Sequence, residues 1–252
     1  MDDAATPPFI RIEALRKRLG GQEILHGVSL EIPAGRTTVI LGGSGAGKSV
    51  LLKHLNGLHR PDSGQVLVEG EDLATMDEAA LRRIRLKVGI LFQDGALFDS
   101  MDVGDNVAFP LRERRGEDPA GIAAKVAEAL REVGLEGEER KMPAALSGGM
   151  RKRAALARAM VGEPRCLLCD EPTAGLDPVL SESISLLIRR TTRDHGLTSV
   201  VVTHDLGAMR LIADHVVFLM DGAIRFAGNP EELEGAEDED LRAFLSARAG
   251  GG

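Results

Sequence analysis

One octapeptide restricts the choice of fold more than any other feature of the chain. Gly42-Gly43-Ser44-Gly45-Ala46-Gly47-Lys48-Ser49 satisfies the pattern G-x-x-x-x-G-K-[ST] in full. Before it lies Thr37 to Leu41, a short β-rich apolar run. After it, Val50, Leu51, Leu52, Leu55 and Leu58 recur at helical spacing. Glycines between a strand and a helix let successive backbone N–H groups, and the helix start itself, point at an anion. The pattern predicts that Lys48 reaches the β- and γ-phosphates of a nucleoside triphosphate, that Ser49 ligates Mg²⁺, and that Val50 borders the site.

The rest of the chain supplies a sheet for such a loop. Thr37 to Leu41, Leu167 to Cys169 and Ser199 to Val202 lack clean alternation, as strands buried on both faces do, and predict a central parallel sheet. Phe9 to Glu13 and Ile24 to Ile32, separated by Gly20-Gly21, and Gln65 to Val68 after the turn Pro61 to Gly64 predict antiparallel strands at its edge. Helical spacing runs from about Ala120 to Val133 and from about Met150 to Met160, with a charged linker near Leu111 to Gly121. The expected fold is therefore α/β: a phosphate-loop core with a parallel central sheet, an N-terminal antiparallel β part, and a helical subdomain inserted at roughly 94–161. One domain over 9–248 accommodates all of this, with flexible ends at 1–8 and 249–252. Leu241, Phe244 and Leu245 fall on one face of an expected C-terminal helix that packs on its own domain.

Composition excludes several roles. A membrane span needs about 18 or more consecutive apolar residues, whereas runs such as Val216 to Met220 are strand-sized. The acidic, Pro-containing start has no apolar core of a secretory leader, so a cytoplasmic protein is expected, and any membrane role must come through a partner. A net charge of -8 argues against a general nucleic-acid binder. The basic run Arg82 to Lys87 reads as a solvated helix face. Cys166 and Cys169 form a C-x-x-C, but on a strand residues three apart face opposite ways and cannot share a metal. Two buried, unlinked thiols suit a reducing compartment.

Chemistry concentrates at the ends of the predicted parallel strands. Arg165 to Cys169 runs into Asp170 and Glu171, placing one carboxylate to act on Mg²⁺ and the next to take a proton from an attacking water. His204 follows Val200-Val201-Val202-Thr203 in the same manner. Ligands of an open parallel sheet bind beyond the carboxyl ends of its strands, so Lys48 with Ser49, Asp170 with Glu171, and His204 converge on one edge. Ser147-Gly148-Gly149, directly before a basic helix, form a second anion site with Ser147 as N-cap. Only one helix and one strand separate it from Asp170. A connection so short is expected to face the phosphate of a second subunit rather than that of its own chain.

In this order and spacing the motifs resemble those of the ATP-binding-cassette ATPases, from about Phe9 to Leu245. The likeness identifies Gly42 to Ser49 with Walker A, Gln93 with the Q-loop glutamine, Leu146 to Gly149 with the signature, Asp170-Glu171 with the end of Walker B, Ala174-Gly175-Leu176-Asp177 with the D-loop, and His204 with the switch histidine. It implies ATP and Mg²⁺ as ligands, Ser49, Gln93 and Asp170 around the metal, and Glu171, His204, Gln93 and Lys48 as catalytic residues. It implies also a head-to-tail homodimer in which Ser147, Gly148, Gly149 and Asp177 meet the partner's ATP. A narrower likeness, carried by Leu91 to Met101, Asp105 to Glu113 and Met150 to Ala159, is to the ATPases of the Mla and Mce lipid transporters. That branch implies an integral membrane permease, an MCE-domain substrate-binding protein, and in the Mla type a small STAS-domain protein. The ATPase would then sit peripherally on the cytoplasmic face of the inner membrane. A cassette ATPase for amino-acid or lipoprotein cargo, a DNA-maintenance ATPase and a non-hydrolysing binding module are the rival readings. One departure concerns the base: where many cassettes stack adenine on an aromatic residue this chain has Leu19 after Arg16-Lys17-Arg18, so Leu19 and Arg18 are the expected base contacts.

Overall fold

The computed structural model describes residues 7–114 and 118–249. Along the chain run β1 (Ile10–Leu19), β2 (Gln22–Ile32), β3 (Thr37–Leu41), α1 (Lys48–His54), β4 (Ser63–Val68), β5 (Glu71–Asp72), α2 (Glu78–Lys87), β6 (Val88–Leu91), α3 (Val103–Arg112), α4 (Pro119–Glu132) and α5 (Gly148–Met160). There follow β7 (Cys166–Asp170), α6 (Pro178–Asp194), β8 (Thr198–Thr203), α7 (Leu206–Ile212), β9 (His215–Met220), β10 (Ala223–Gly228), α8 (Pro230–Glu234) and α9 (Glu239–Ala249).

Two sheets result, ordered β2-β1-β4-β5 and β10-β9-β3-β8-β7-β6. The first is antiparallel throughout. In the second, β6, β7, β8, β3 and β9 are parallel and β10 returns antiparallel along β9. Every residue of β3, β7 and β8 is buried, which explains why these strands read as unbroken apolar runs. One face of the sheet packs Val39, Leu167, Cys169 and Val201 under the helices α3 to α7 and α9. The other packs Ile40, Cys166, Leu168 and Val200 against the antiparallel sheet, α1 and α2. Cys166 and Cys169 thus lie in separate cores as buried free thiols, and burial pushes both well above the usual thiol range.

Several boundaries differ from expectation. β1 continues through Arg16-Lys17-Arg18 to Leu19, past a bulge where Ala14 takes φ 46°. Arg16 and Arg18 are exposed, Lys17 is 14% exposed and donates to Arg60 O and Asp62 Oδ1, and Ile10, Ile12 and Leu15 are buried. α1 stops at His54 before the turn at Asn56-Gly57, so Leu55 is buried beyond the helix and Leu58 is exposed. Leu111 and Arg112 belong to α3 and residues 119–121 to α4, which shortens the expected linker; residues 115–117 lie outside the described residues, as do 1–6 and 250–252. The acidic stretch after Pro230 holds two helix starts, the first with a capping box between Asn229 and Glu232. In α9, Leu241 is fully buried and Phe244 stacks 5.0 Å from Phe218, so this helix packs on its own domain.

Candidate functional site

β3, β7 and β8 end side by side, and Gly42, Asp170 and Thr203 mark their carboxyl ends. The phosphate loop is closed behind and open in front. A Cβ on Gly42 would stand 2.4 Å from the Leu219 carbonyl oxygen of β9, and one on Gly47, at φ +100°, would stand 3.0 Å from Leu25 Cδ2 of β2. On Gly43 or Gly45 it would meet nothing within 4 Å. The backbone of this loop therefore lies bare on the side away from the sheet, where a phosphate has room.

Lys48 is 7% exposed and donates from Nζ to the carbonyl oxygens of Gly42 (3.0 Å) and Gly43 (3.1 Å). The same ammonium stands 3.2 Å from Glu171 Oε1. Glu171 Oε2 accepts from Thr203 Oγ1 at 3.2 Å and lies 3.0 Å from His204 Nδ1. Burial is the largest single influence on this carboxyl and opposes ionisation. The His204 hydrogen bond and the Lys48 charge together outweigh it, holding Glu171 below the ordinary glutamate value and so ionised near neutrality. Its φ of 44° is a left-handed conformation that a glutamate adopts only when its surroundings hold it there. The bond from Glu171 N to Val202 O, at 2.9 Å, supplies part of that hold.

Ser49 Oγ donates to Asp170 Oδ1 at 2.8 Å, bringing a hydroxyl from α1 and a carboxylate from β7 together beside the loop. Both are oxygen donors of the kind a hard divalent cation takes. An open glycine loop, an adjoining lysine and this hydroxyl–carboxylate pair fit Mg²⁺ with a nucleoside triphosphate. Val50 follows Ser49 in α1, and its carbonyl is taken by His54 Nδ1 at 2.7 Å.

The remaining expected residues lie elsewhere. Gln93 follows β6, the edge strand beside β7, with its side chain exposed and its carbonyl oxygen accepting from Lys152 Nζ. Burial holds Lys152 below the ordinary lysine value. Ser147 caps α5, accepting from Met150 N at 3.2 Å. Gly148 and Gly149 open that helix against Leu176 and Leu180. Asp177 is engaged as the N-cap of α6, its Oδ1 accepting from Leu180 N at 3.0 Å. Arg18 and Leu19 end β1 at the hairpin turn, and the Arg18 guanidinium donates to Gly21 O at 2.7 Å. From this hairpin it is Ile24 and Leu25 of β2 that touch the phosphate loop, at Gly47. Thr203 and Lys152 were not singled out from the sequence. For Thr203 the signal was present, a hydroxyl closing the strand that precedes His204.

Comparison with known proteins agrees with this geometry. The family described as ABC transporter matches residues 25–174. The probable ribonucleotide transport ATP-binding protein mkl of Mycobacterium leprae (strain TN) is 44% identical over 239 residues, covering 95% of this chain and 69% of that protein. The methionine import ATP-binding protein MetN of Caulobacter vibrioides is 44% identical over 214 residues, 85% of this chain and 64% of that one. The intermembrane phospholipid transport system ATP-binding protein MlaF of Escherichia coli K12 is 40% identical over 232 residues, 92% of this chain and 86% of that one. A dimeric, post-hydrolysis structure of the ATP-binding cassette MJ0796 with ADP and Pi superposes with a TM-score of 0.80 at 31% identity, over 87% of this chain and 98% of that one. The chain belongs to the ABC transporter family and is an ATP- and Mg²⁺-dependent ATPase subunit of it.

Proposed function

We propose that this ATPase powers the movement of phospholipid or a related lipid across the cell envelope, closing as a head-to-tail homodimer around two ATP molecules. The observation that carries the chemistry is the Glu171 carboxylate, held ionised between Lys48, His204 and Thr203 at the edge where the phosphate loop opens. Glu171 accepts the proton of the water whose oxygen attacks the γ-phosphorus, and ADP leaves with the bridging oxygen. Lys48 orients the β- and γ-phosphates. His204 fixes the Glu171 carboxylate and Gln93 faces the attacking water. Ser49 and Asp170, with Gln93 swung in from its loop after β6, would hold Mg²⁺, which when bound would neutralise charge on the β- and γ-phosphates. Ser147, Gly148, Gly149 and Asp177 complete the site of the other copy.

Coupling to a membrane permease is supported by a groove of about 470 Å³ on the Gln93 side of the molecule, walled by Leu58, Leu86, Phe98, Phe109 and Pro110. Leu58, Leu86 and Phe98 are 48%, 45% and 41% exposed there, an apolar strip that suits a partner helix. Among the described residues no helix is long and apolar enough to cross a membrane, so the subunit would sit peripherally on the cytoplasmic face through its permease. Lipid cargo is supported by the likeness to MlaF and by the segment after Gln93. An MCE-domain protein, and in the Mla arrangement a STAS-domain protein, complete the assembly. Amino-acid cargo is the second reading, favoured by the identity to MetN. Purified from its own membranes in mild detergent, the subunit is expected to bring with it a permease and an MCE-domain protein, identified by mass spectrometry. Recovery with an amino-acid-binding protein instead would replace the lipid reading by the second one.

A further inference from the structure

The loop that carries Gln93 is fastened to α5. Lys152, 6% exposed, donates from Nζ to the Gln93 carbonyl oxygen. Two turns later Arg158 donates from Nη1 to Ala96 O and from Nη2 to Gly95 O, each at 2.7 Å. Between them Gly95, at φ +75°, lies so near the helix that a Cβ would stand 3.3 Å from Ala155 Cβ. Three consecutive points of the loop are thus held by one face of the helix whose first residues are Gly148 and Gly149. Among the described residues Lys152 forms no ion pair within 4.0 Å, and its ammonium is buried against a carbonyl oxygen. An apolar side chain of similar length would fill that space without burying a charge. The ammonium is therefore explained by the carbonyl it holds and by the charges of Asp94, Asp170 and Glu171, which favour it, rather than by packing.

We propose that Lys152 is a positioning residue for Gln93: it ties the Gln93 backbone to α5 and so fixes where the glutamine side chain stands at the reacting phosphate. This rests on the reading that Gln93 works at the reacting phosphate. Lys152 acts through Gln93, so its effect must vanish when the glutamine side chain is gone, whereas an effect of its charge on Asp170 or Glu171 would persist.

The test is a double-mutant cycle on the full-length chain, with turnover, ATP binding and melting temperature measured for Lys152→Met, Lys152→Arg, Gln93→Ala and the Gln93→Ala/Lys152→Met pair. Lys152→Met is expected to lower kcat about ten- to a hundredfold, as loss of geometry at a catalytic group does, while ATP affinity and melting temperature stay near those of the parent. Lys152→Arg restores most of the rate. In the Gln93→Ala background Lys152→Met changes kcat by less than about twofold. Parent-like turnover of Lys152→Met, or an equal loss in both backgrounds, overturns the proposal. Should the methionine variant fail to fold, Lys152→Gln, which keeps a donor without charge, takes its place with the same criteria. Parent-like turnover of Gln93→Ala sinks the reading of Gln93 itself, whereas a defective Gln93→Ala beside a normal Lys152→Met sinks only the tie.

Discussion

In the proposed function the sheet edge and the start of α5 both meet phosphate, yet they differ in what surrounds them. At the edge, Lys48, Ser49, Asp170, Glu171, Thr203 and His204 pair through hydrogen bonds and ion pairs contributed by α1 and by the ends of β7 and β8. At α5, Ser147 has its capping bond to Met150 N, and the side chains nearest a Cβ at Gly148 and Gly149 are the apolar Leu176 and Leu180. Each of the bonds just named runs within its own region. Val179 and Leu180, 76% and 36% exposed, leave an apolar surface beside the α5 start. The edge is wired for chemistry within one chain. The helix start has binding groups and no chemistry, as half of a site shared between two copies would have.

The largest effect should come from the edge. Glu171→Gln is expected to lower turnover about 10²- to 10⁴-fold, the range for loss of a general base, with ATP binding retained in an equilibrium assay. Parent-like turnover would remove Glu171 from the mechanism. Lys48→Ala is expected to weaken ATP binding itself by about ten- to a hundredfold, since a charge-assisted contact to phosphate contributes roughly 1.5–3 kcal/mol. Unchanged titration of ATP would show that the ammonium serves Glu171 alone.

Smaller effects separate fold from chemistry. Gly42→Ala sets a methyl against the Leu219 carbonyl at 2.4 Å, so a loss of about 1–3 kcal/mol in denaturant unfolding is expected. Ser147→Ala removes a helix cap and should cost about 1 kcal/mol; a loss of turnover beyond what that explains would point to contact with the partner's phosphate. The last prediction concerns pH. Because Glu171 titrates below its ordinary value, its contribution to stability is present above that value and is lost as pH falls through the folded one. His204→Ala removes one of the influences that lower it, so the acid limb of the turnover profile should move to higher pH. An unmoved limb would assign that limb to another group.

Much of this was legible in the sequence for a physical reason. Strands buried on both faces must be apolar throughout, so β3, β7 and β8 stood out, and the polar residues that end them stood out in turn. β6 did not, because α2 runs into it with no turn residue between Lys87 and Val88, and because its Gly89 serves the close approach of α5, where a Cβ would stand 2.3 Å from Ala159 O. α3 was hidden by Pro110 inside it and by Asn106, a fully buried polar residue. Asn106 is buried because its side chain bonds the backbone of Phe98, Met101 and Asp102. Lys152 was invisible for a similar reason. Nothing in Met150-Arg151-Lys152-Arg153 tells which of three basic side chains turns inward, and only the approach of the Gln93 loop to α5 decides it.

The shared site can be tested by mixing two inactive chains. Lys48→Ala disables the edge, and Gly148→Asp sets a negative charge where phosphate would meet α5. The fold should tolerate that aspartate, since a Cβ at Gly148 would come no closer than 3.5 Å to Leu176 and an acidic residue suits a helix start. In a mixed dimer one of the two sites keeps both an intact Lys48 and an intact Gly148. Each variant alone is predicted to be inactive, and an equal mixture to recover about a quarter of the parent turnover, since half the random pairs are mixed and each retains one site of two. No recovery on mixing, with dimers verified, would contradict a site built from two copies of the chain.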